Sequence, residues 1–279
     1  MKYLTTEKIR AILDRYEKGE GLKRTERIFY HGREGLLNAK YPFLHTKEER
    51  IEWVRCHDSP VYFIEQYCRI LGGSIELRDY QKVWVDNYVH NRFNVNLTTR
   101  QVGYDLIMDC MNLWEMIFHS RSVLSISDRT RGLNKLKELF IRLPYFLKSP
   151  VIGWGKKEIR FFGGPMVKRV SGNTKIDTNG FDVVDIRDAF HIPSGKQDDI
   201  LKVVTPILSG QTGGRLCIGG LPVGNDAFYE LTRNPNFVVT RTYWWQVPGR
   251  DDEWVEQKKL ECGSKEAFDR EYNMSFRSR

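Results

Sequence analysis

At 279 residues, 41% hydrophobic and 29% charged, the chain is too apolar to be disordered and long enough for one large domain with a smaller attachment. No apolar run approaches the roughly 20 residues that span a bilayer, and the five cysteines form no C-x-x-C pair, which argues against a membrane partner, a zinc ribbon or a disulfide framework and for a reducing compartment. The net charge of +8 suits a polyanionic partner such as double-stranded DNA, but it is spread along the chain rather than gathered in a tail.

After Thr5 and Thr6, residues Ile9, Ile12, Leu13 and Tyr16 recur at helical spacing and predict a short amphipathic helix. Residues 18–46, rich in Gly, Arg and Lys, read as a poorly packed connection. A helix follows over 47–56, and Pro60 opens another that carries Tyr62, Phe63, Tyr67 and Ile70. Residues 1–72 therefore form a helical lead-in.

From 73 to 279 strand and helix alternate. Strand-like runs fall at 93–98, 122–127, 159–162, 181–186, 216–218 and 237–243. Helical runs fall at 79–91, 106–119, 131–143, 197–208, 226–233, 252–261 and 265–273. This alternation predicts an α/β domain with a mostly parallel sheet flanked by helices. Ligands bind such sheets beyond the carboxyl ends of the strands, which singles out the turns at 98–105, 127–131, 187–193 and 219–225.

The first of these turns reads Leu97-Thr98-Thr99-Arg100-Gln101-Val102-Gly103-Tyr104-Asp105-Leu106, a strand entering a helix. It resembles the phosphate-binding loop of the T4-like terminase large subunits, the ATPases that package viral DNA, which runs through R-Q-x-G-K-[ST]. Trp53-Val54-Arg55-Cys56, Leu77-Arg78-Asp79-Tyr80-Gln81, Leu143-Pro144-Tyr145-Phe146 and Val247-Pro248-Gly249-Arg250-Asp251-Asp252-Glu253-Trp254 are similar to further family segments, in order and at the family's spacing. The resemblance implies a P-loop fold from about residue 45 to the C-terminus. It places Tyr80 and Gln81 at the adenine and Arg100, Gln101 and Gly103 in the phosphate loop. Residue 279 falls about where the family's nuclease domain begins, so no nuclease activity is expected.

A P-loop ATPase needs a lysine on the β- and γ-phosphates, a hydroxyl on magnesium, and an Asp at the end of a neighbouring strand to hold that metal. Here the lysine position is Tyr104 and the hydroxyl position Asp105, a carboxylate facing an anionic nucleotide. In Val183-Val184-Asp185-Ile186-Arg187-Asp188, Arg187 takes the metal-holding position and Asp188 that of the catalytic Glu. An arginine cannot ligate magnesium. Asp177, Thr178, Asn179 and Gly180 replace the family's R-G-x-S element, and Gly220-Leu221-Pro222 stands where a hydroxyl-bearing coupling turn is expected.

These replacements predict an ATPase fold without hydrolysis, in a structural, regulatory or decoy role beside portal or terminase subunits in the cytoplasm of an infected bacterium. Two other readings remain open: an active packaging ATPase with atypical residues, the one under which ATP and magnesium are expected, and a DNA-binding module without motor activity. An Asp105–Arg187 ion pair is expected to fill the vacated metal site, with Asp185 and Arg187 sharing one strand face. His57, His90, His119 and His191 show no metal-binding spacing, and Tyr243-Trp244-Trp245 is expected to pack on the last helices.

Overall fold

The computed structural model describes residues 6–18, 20, 28–39, 45–128, 132–176, 180–209, 213–224 and 226–274. In chain order the elements are α1 (Thr6–Glu17), α2 (Lys47–Asp58), α3 (Pro60–Tyr67), β1 (Arg69–Ile70), β2 (Gly73–Ser74), α4 (Asp79–His90), β3 (Phe93–Thr98), α5 (Tyr104–Phe118), β4 (Val123–Ser127) and α6 (Asn134–Arg142). There follow β5 (Val151–Trp154), β6 (Glu158–Phe161), β7 (Met166–Ser171), β8 (Val183–Arg187), α7 (Ser194–Ser209), β9 (Arg215–Gly220), α8 (Ala227–Glu230), β10 (Val238–Thr242), α9 (Asp252–Cys262) and α10 (Lys265–Tyr272). The large sheet has the strand order β10-β3-β9-β8-β4-β7-β6-β5, and β1 and β2 form a small antiparallel pair. The predicted α/β fold with a mostly parallel sheet is the fold found. Among the described residues no helix is long and apolar enough to cross a membrane.

Two compact units make up the chain. One comprises Met1–Leu77, Cys110–Arg121 and Leu133–Val167, the other Arg78–Asp109, Ser122–Gly132 and Lys168–Arg279.

In the first unit, α2 begins in a capping box: Thr46 Oγ1 accepts from the Glu49 amide at 3.1 Å, and Glu49 Oε2 accepts from the Thr46 amide at 2.8 Å. Pro60 sits at the first position of α3, where its missing N–H costs nothing. The stretch read from sequence as poorly packed contributes buried residues to a core, although 31–34 are exposed. Ile28, Phe29 and Leu37 are buried with Ile9, Ile12, Leu13 and Tyr145, and Phe29 bridges Leu37 in antiparallel fashion. Apolar residues too sparse to show periodicity still bury area when the chain folds back on itself. β5 and β6 form an antiparallel hairpin.

The second unit carries the parallel strands. β10 pairs with β3, β3 with β9, β9 with β8 and β8 with β4, all parallel. Parallel central strands are covered on both faces, and β4 and β8 accordingly have every residue buried. The register pairs Thr242 with Thr98, Leu97 with Gly220, Ile218 with Ile186, and Ser127 with Arg187. Thr98, Ser127, Arg187, Gly220 and Thr242 thus end their strands along one sheet edge. The turns that leave this edge build the site.

Candidate functional site

Backbone bonds and two left-handed residues fix the turn between β3 and α5. The Thr99 amide donates to the Thr242 carbonyl at 3.0 Å, and the Gly103 carbonyl accepts the first amides of α5, those of Leu106 and Ile107, at 3.1 and 3.2 Å. Gln101 and Gly103 are both left-handed, with φ of 58° and 82°. Gly103 is required twice over, because a Cβ there would also lie 2.8 Å from Gln81 Nε2. Gln81 is buried and donates from Nε2 to the Val102 carbonyl at 2.9 Å, while its Oε1 accepts from the Arg78 amide. Tyr80, also buried, donates to the same Val102 carbonyl at 3.3 Å. Both side chains matched to the adenine contact brace the loop.

Tyr104 is 7% exposed and turns inward. Its hydroxyl lies 3.3 Å from Cys217 Sγ on β9, and its ring meets Trp84 edge to face at 5.4 Å between centroids. A Cβ at Gly219 would lie 2.1 to 2.4 Å from the Tyr104 ring and hydroxyl, so the absent side chain makes the room that the ring fills. Burial first, then the neighbouring Cys217 and Asp185, hold the phenol well above its ordinary pKa. The residue is a neutral wedge between helix and sheet.

Arg187 is 3% exposed at the end of β8. Its Nε donates to Asp185 Oδ2 at 2.6 Å and its Nη2 lies 2.8 Å from Asp109 Oδ1. Arg169 from β7 reaches the same Asp109 oxygen at 2.6 Å through Nη2 and donates through Nε to Ser125 Oγ at 3.2 Å. Ser125 Oγ donates in turn to Asp185 Oδ2 at 3.4 Å. Two guanidinium groups and two carboxylates, all buried, therefore close on one another in a charge-neutral network that ties α5, β4, β7 and β8. Burial alone would weaken the Arg187 charge, but Asp109, Asp185 and Asp105 offset it and hold the group well above its ordinary pKa.

The ion pair expected between Asp105 and Arg187 takes a different form. Arg187 Nη1 donates to the Asp105 main-chain carbonyl at 2.9 Å, and the carboxylate that pairs with it on α5 is Asp109, one helical turn further on. The i, i+4 spacing puts Asp109 on the same helix face but deeper under the sheet end. The structure brings Asp185 and Arg187 together as their shared strand position implied.

Above this network lies a cleft of about 450 Å³, lined by the loop from Thr98 to Asp105 and by Asp128, Asp188, His191, Gly220 and Leu221. Asp188 follows β8 in a left-handed conformation, φ 47°. Leu221 is buried. Arg100 pairs with Glu271 on α10. Asp177, Thr178, Asn179 and Arg129–Arg131 lie outside the described residues. Among the described residues no cluster of three or more His, Cys, Asp or Glu is placed to hold a metal.

No protein-family model matches the sequence. In structure the chain is similar to the large terminase ATPase domain of Thermus phage P74-26, at 18% identity and a TM-score of 0.58 over 74% of this chain and 96% of that one. It is similar too to the large terminase of bacteriophage HK97, at 14% identity and a TM-score of 0.59 over 78% of this chain and 54% of that one. A third similar structure, the large terminase of a thermophilic bacteriophage in complex with ATP-gamma-S, gives 11% identity and a TM-score of 0.51 over 72% and 53% of the two chains. The fold is that of a large-terminase ATPase domain.

On that terminase fold, Tyr104 at the turn after β3 is a phenol buried against β9, and Arg187 at the end of β8 is a guanidinium paired with Asp109 and Asp185. Sequence reasoning singled out Arg187 and Asp185 but missed Asp109, Arg169 and Ser125. The one available signal was a charged residue, Asp109, inside the apolar helix Leu106-Ile107-Met108-Asp109-Cys110-Met111, which a buried partner must neutralise.

Proposed function

We propose that this chain is a terminase-like viral DNA-packaging protein whose ATPase fold does not hydrolyse nucleotide, and that it serves packaging as a structural, regulatory or decoy component. The reading rests above all on the buried network around Arg187: where the fold would place a carboxylate on magnesium, a cation is held by Asp109 and Asp185. A second metal-side group, the hydroxyl, is replaced by Asp105, and Tyr104 carries no charge to offset the transferring phosphoryl group. Double-stranded DNA, portal or active terminase subunits are the proposed partners, and the cytoplasm of an infected bacterium the proposed setting.

Phosphate release in the presence of magnesium and DNA tests this directly. The expected result is no turnover above a protein-free blank, together with nucleotide binding that magnesium does not strengthen. Magnesium-dependent turnover that Asp188→Asn abolishes would establish an active ATPase instead.

A further inference from the structure

Three consecutive carbonyls of the phosphate loop accept hydrogen bonds from side chains. Val102 is held from α4 by Tyr80 and Gln81; Arg100 and Gln101 are held from the other side by Arg250 Nη2, at 3.0 and 3.2 Å. Arg250 lies in the turn that leads into α9, and its guanidinium carbon sits 4.7 Å from the Trp254 ring centre and 5.8 Å from that of Tyr272. Its planar fork is thereby pre-oriented on aromatic faces from both terminal helices. Glu271, next to Tyr272 on α10, takes the Arg100 side chain. Asp251 caps α9 at the Trp254 amide, Ser264 caps α10 at the Ala267 amide, and Val255, Phe268 and Tyr272 join the two helices through a small core. The pair is therefore a packed unit that grips the loop at three points.

We propose that the α9–α10 pair is a clamp on the phosphate loop: through Arg250 it orders the loop without nucleotide, and through Glu271 it neutralises Arg100 at the cleft wall. The electrostatic consequence is specific. Asp105, Asp128 and Asp188 line the cleft, and Arg100 is the arginine among its described lining residues. With Arg100 paired to Glu271 the carboxylates dominate the cleft and it repels polyanions; with that pair broken its wall carries a cation free to meet them. The clamp depends on the loop geometry alone, while its bearing on phosphate ligands rests on the non-hydrolytic reading above.

Amide hydrogen exchange on the full chain, without nucleotide, reads the clamp independently of any turnover. Arg250→Ala is expected to speed exchange at residues 99–103 by roughly tenfold or more while β3 stays protected, because local opening is governed by local bonds. Unchanged exchange at 99–103 in a variant with the parent's thermal midpoint would overturn the proposal. Should Arg250→Ala not fold, Glu271→Gln, which keeps the shape and removes the charge, carries the test. It is expected to raise affinity for tripolyphosphate several-fold, by about the factor that one added charge near an anion provides, and Arg100→Ala in the same background is expected to remove the gain. An affinity that Glu271→Gln leaves unaltered, or a gain that survives Arg100→Ala, would refute the role given to Arg100.

Discussion

Tyr104 and Gly219 form a steric pair, each meaningful only with the other. The ring lies against β9 where a Cβ at Gly219 would sit 2.1 Å from it, and Trp84 bounds its other side. Gly219→Ala should therefore cost about 1–3 kcal/mol, as overpacking of a filled core does. Adding Tyr104→Leu should recover part of the loss, and a double-mutant cycle in urea measures the coupling. Arg187 is held in a different way, by charge in a buried place. Arg187→Met removes the guanidinium that pairs with both Asp109 and Asp185, with Arg169 still on Asp109, and should cost about 3–5 kcal/mol, the usual penalty for breaking a buried ion pair on one side. A variant as stable as the parent would mean that the network contributes nothing. Cys217 adds a pH dependence. Burial pushes its thiol from 9.0 up to about 12. A raised folded-state pKa gives stability that is complete below pH 9 and is lost as pH rises towards 12, because the unfolded chain releases the proton first. Within that window Cys217→Ser should flatten the fall of unfolding free energy by about 1.4 kcal/mol per pH unit, read from urea midpoints at about pH 10 and pH 11.

At the scale of elements, α1 is joined to α2 through one carboxylate with two duties. Glu49 closes the capping box of α2 and pairs with Arg10 at 2.8 Å. Burial would raise its pKa, but the bonds from Arg10 and the Thr46 amide outweigh this and hold it below 4.5. A lowered pKa gives stability present above 4.5 and lost as pH falls through the folded value, so α1 should loosen on acidification. Thr46→Ala should cost about 1 kcal/mol through the cap alone, whereas Glu49→Ala should also release α1. Proteolysis near residues 10–15 at pH 7 distinguishes them, and equal protection of α1 in both variants would contradict the shared duty.

The same scale shows what could be read in advance. The central strands were legible because β3, β4, β8 and β9 are continuous apolar or alternating runs between turn residues. β7 was hidden. Of its inward positions Val167, Arg169 and Ser171, two are polar, since the network that Arg169 serves is itself buried. Alternation by hydrophobicity fails wherever the core is charged. The network was illegible for a related reason: its members come from α5, β4, β7 and β8, and no local pattern joins Asp109 to Arg169 across 60 residues. The buried residues Ile28, Phe29 and Leu37 escaped because contacts with α1 and Tyr145, not their own periodicity, hold them.

For the molecule as a whole, the proposed loss of nucleotide chemistry involves residues 104, 105 and 187 together, and this makes it testable by reversal. Arg187→Asp alone would place three carboxylates, at 109, 185 and 187, against Arg169, turning a neutral buried network into one with two excess negative charges. A divalent cation is what such a site then lacks. Tyr104→Lys would empty the pocket against Gly219 and return a cation to the loop, and Asp105→Thr would remove a carboxylate from the cleft and supply the hydroxyl. The combined variant should thus be less stable than the parent without ligand and should gain stability with magnesium and ATP, by about 2.7 kcal/mol at a hundredfold excess over the dissociation constant. The parent, whose charges already balance, should show no such gain at the same concentrations. Thermal unfolding of both proteins with ATP, with magnesium, and with both together reads these terms separately. A magnesium-dependent rise in the parent would mean that its network opens to admit the metal, and the replacement of metal by guanidinium would have to be given up.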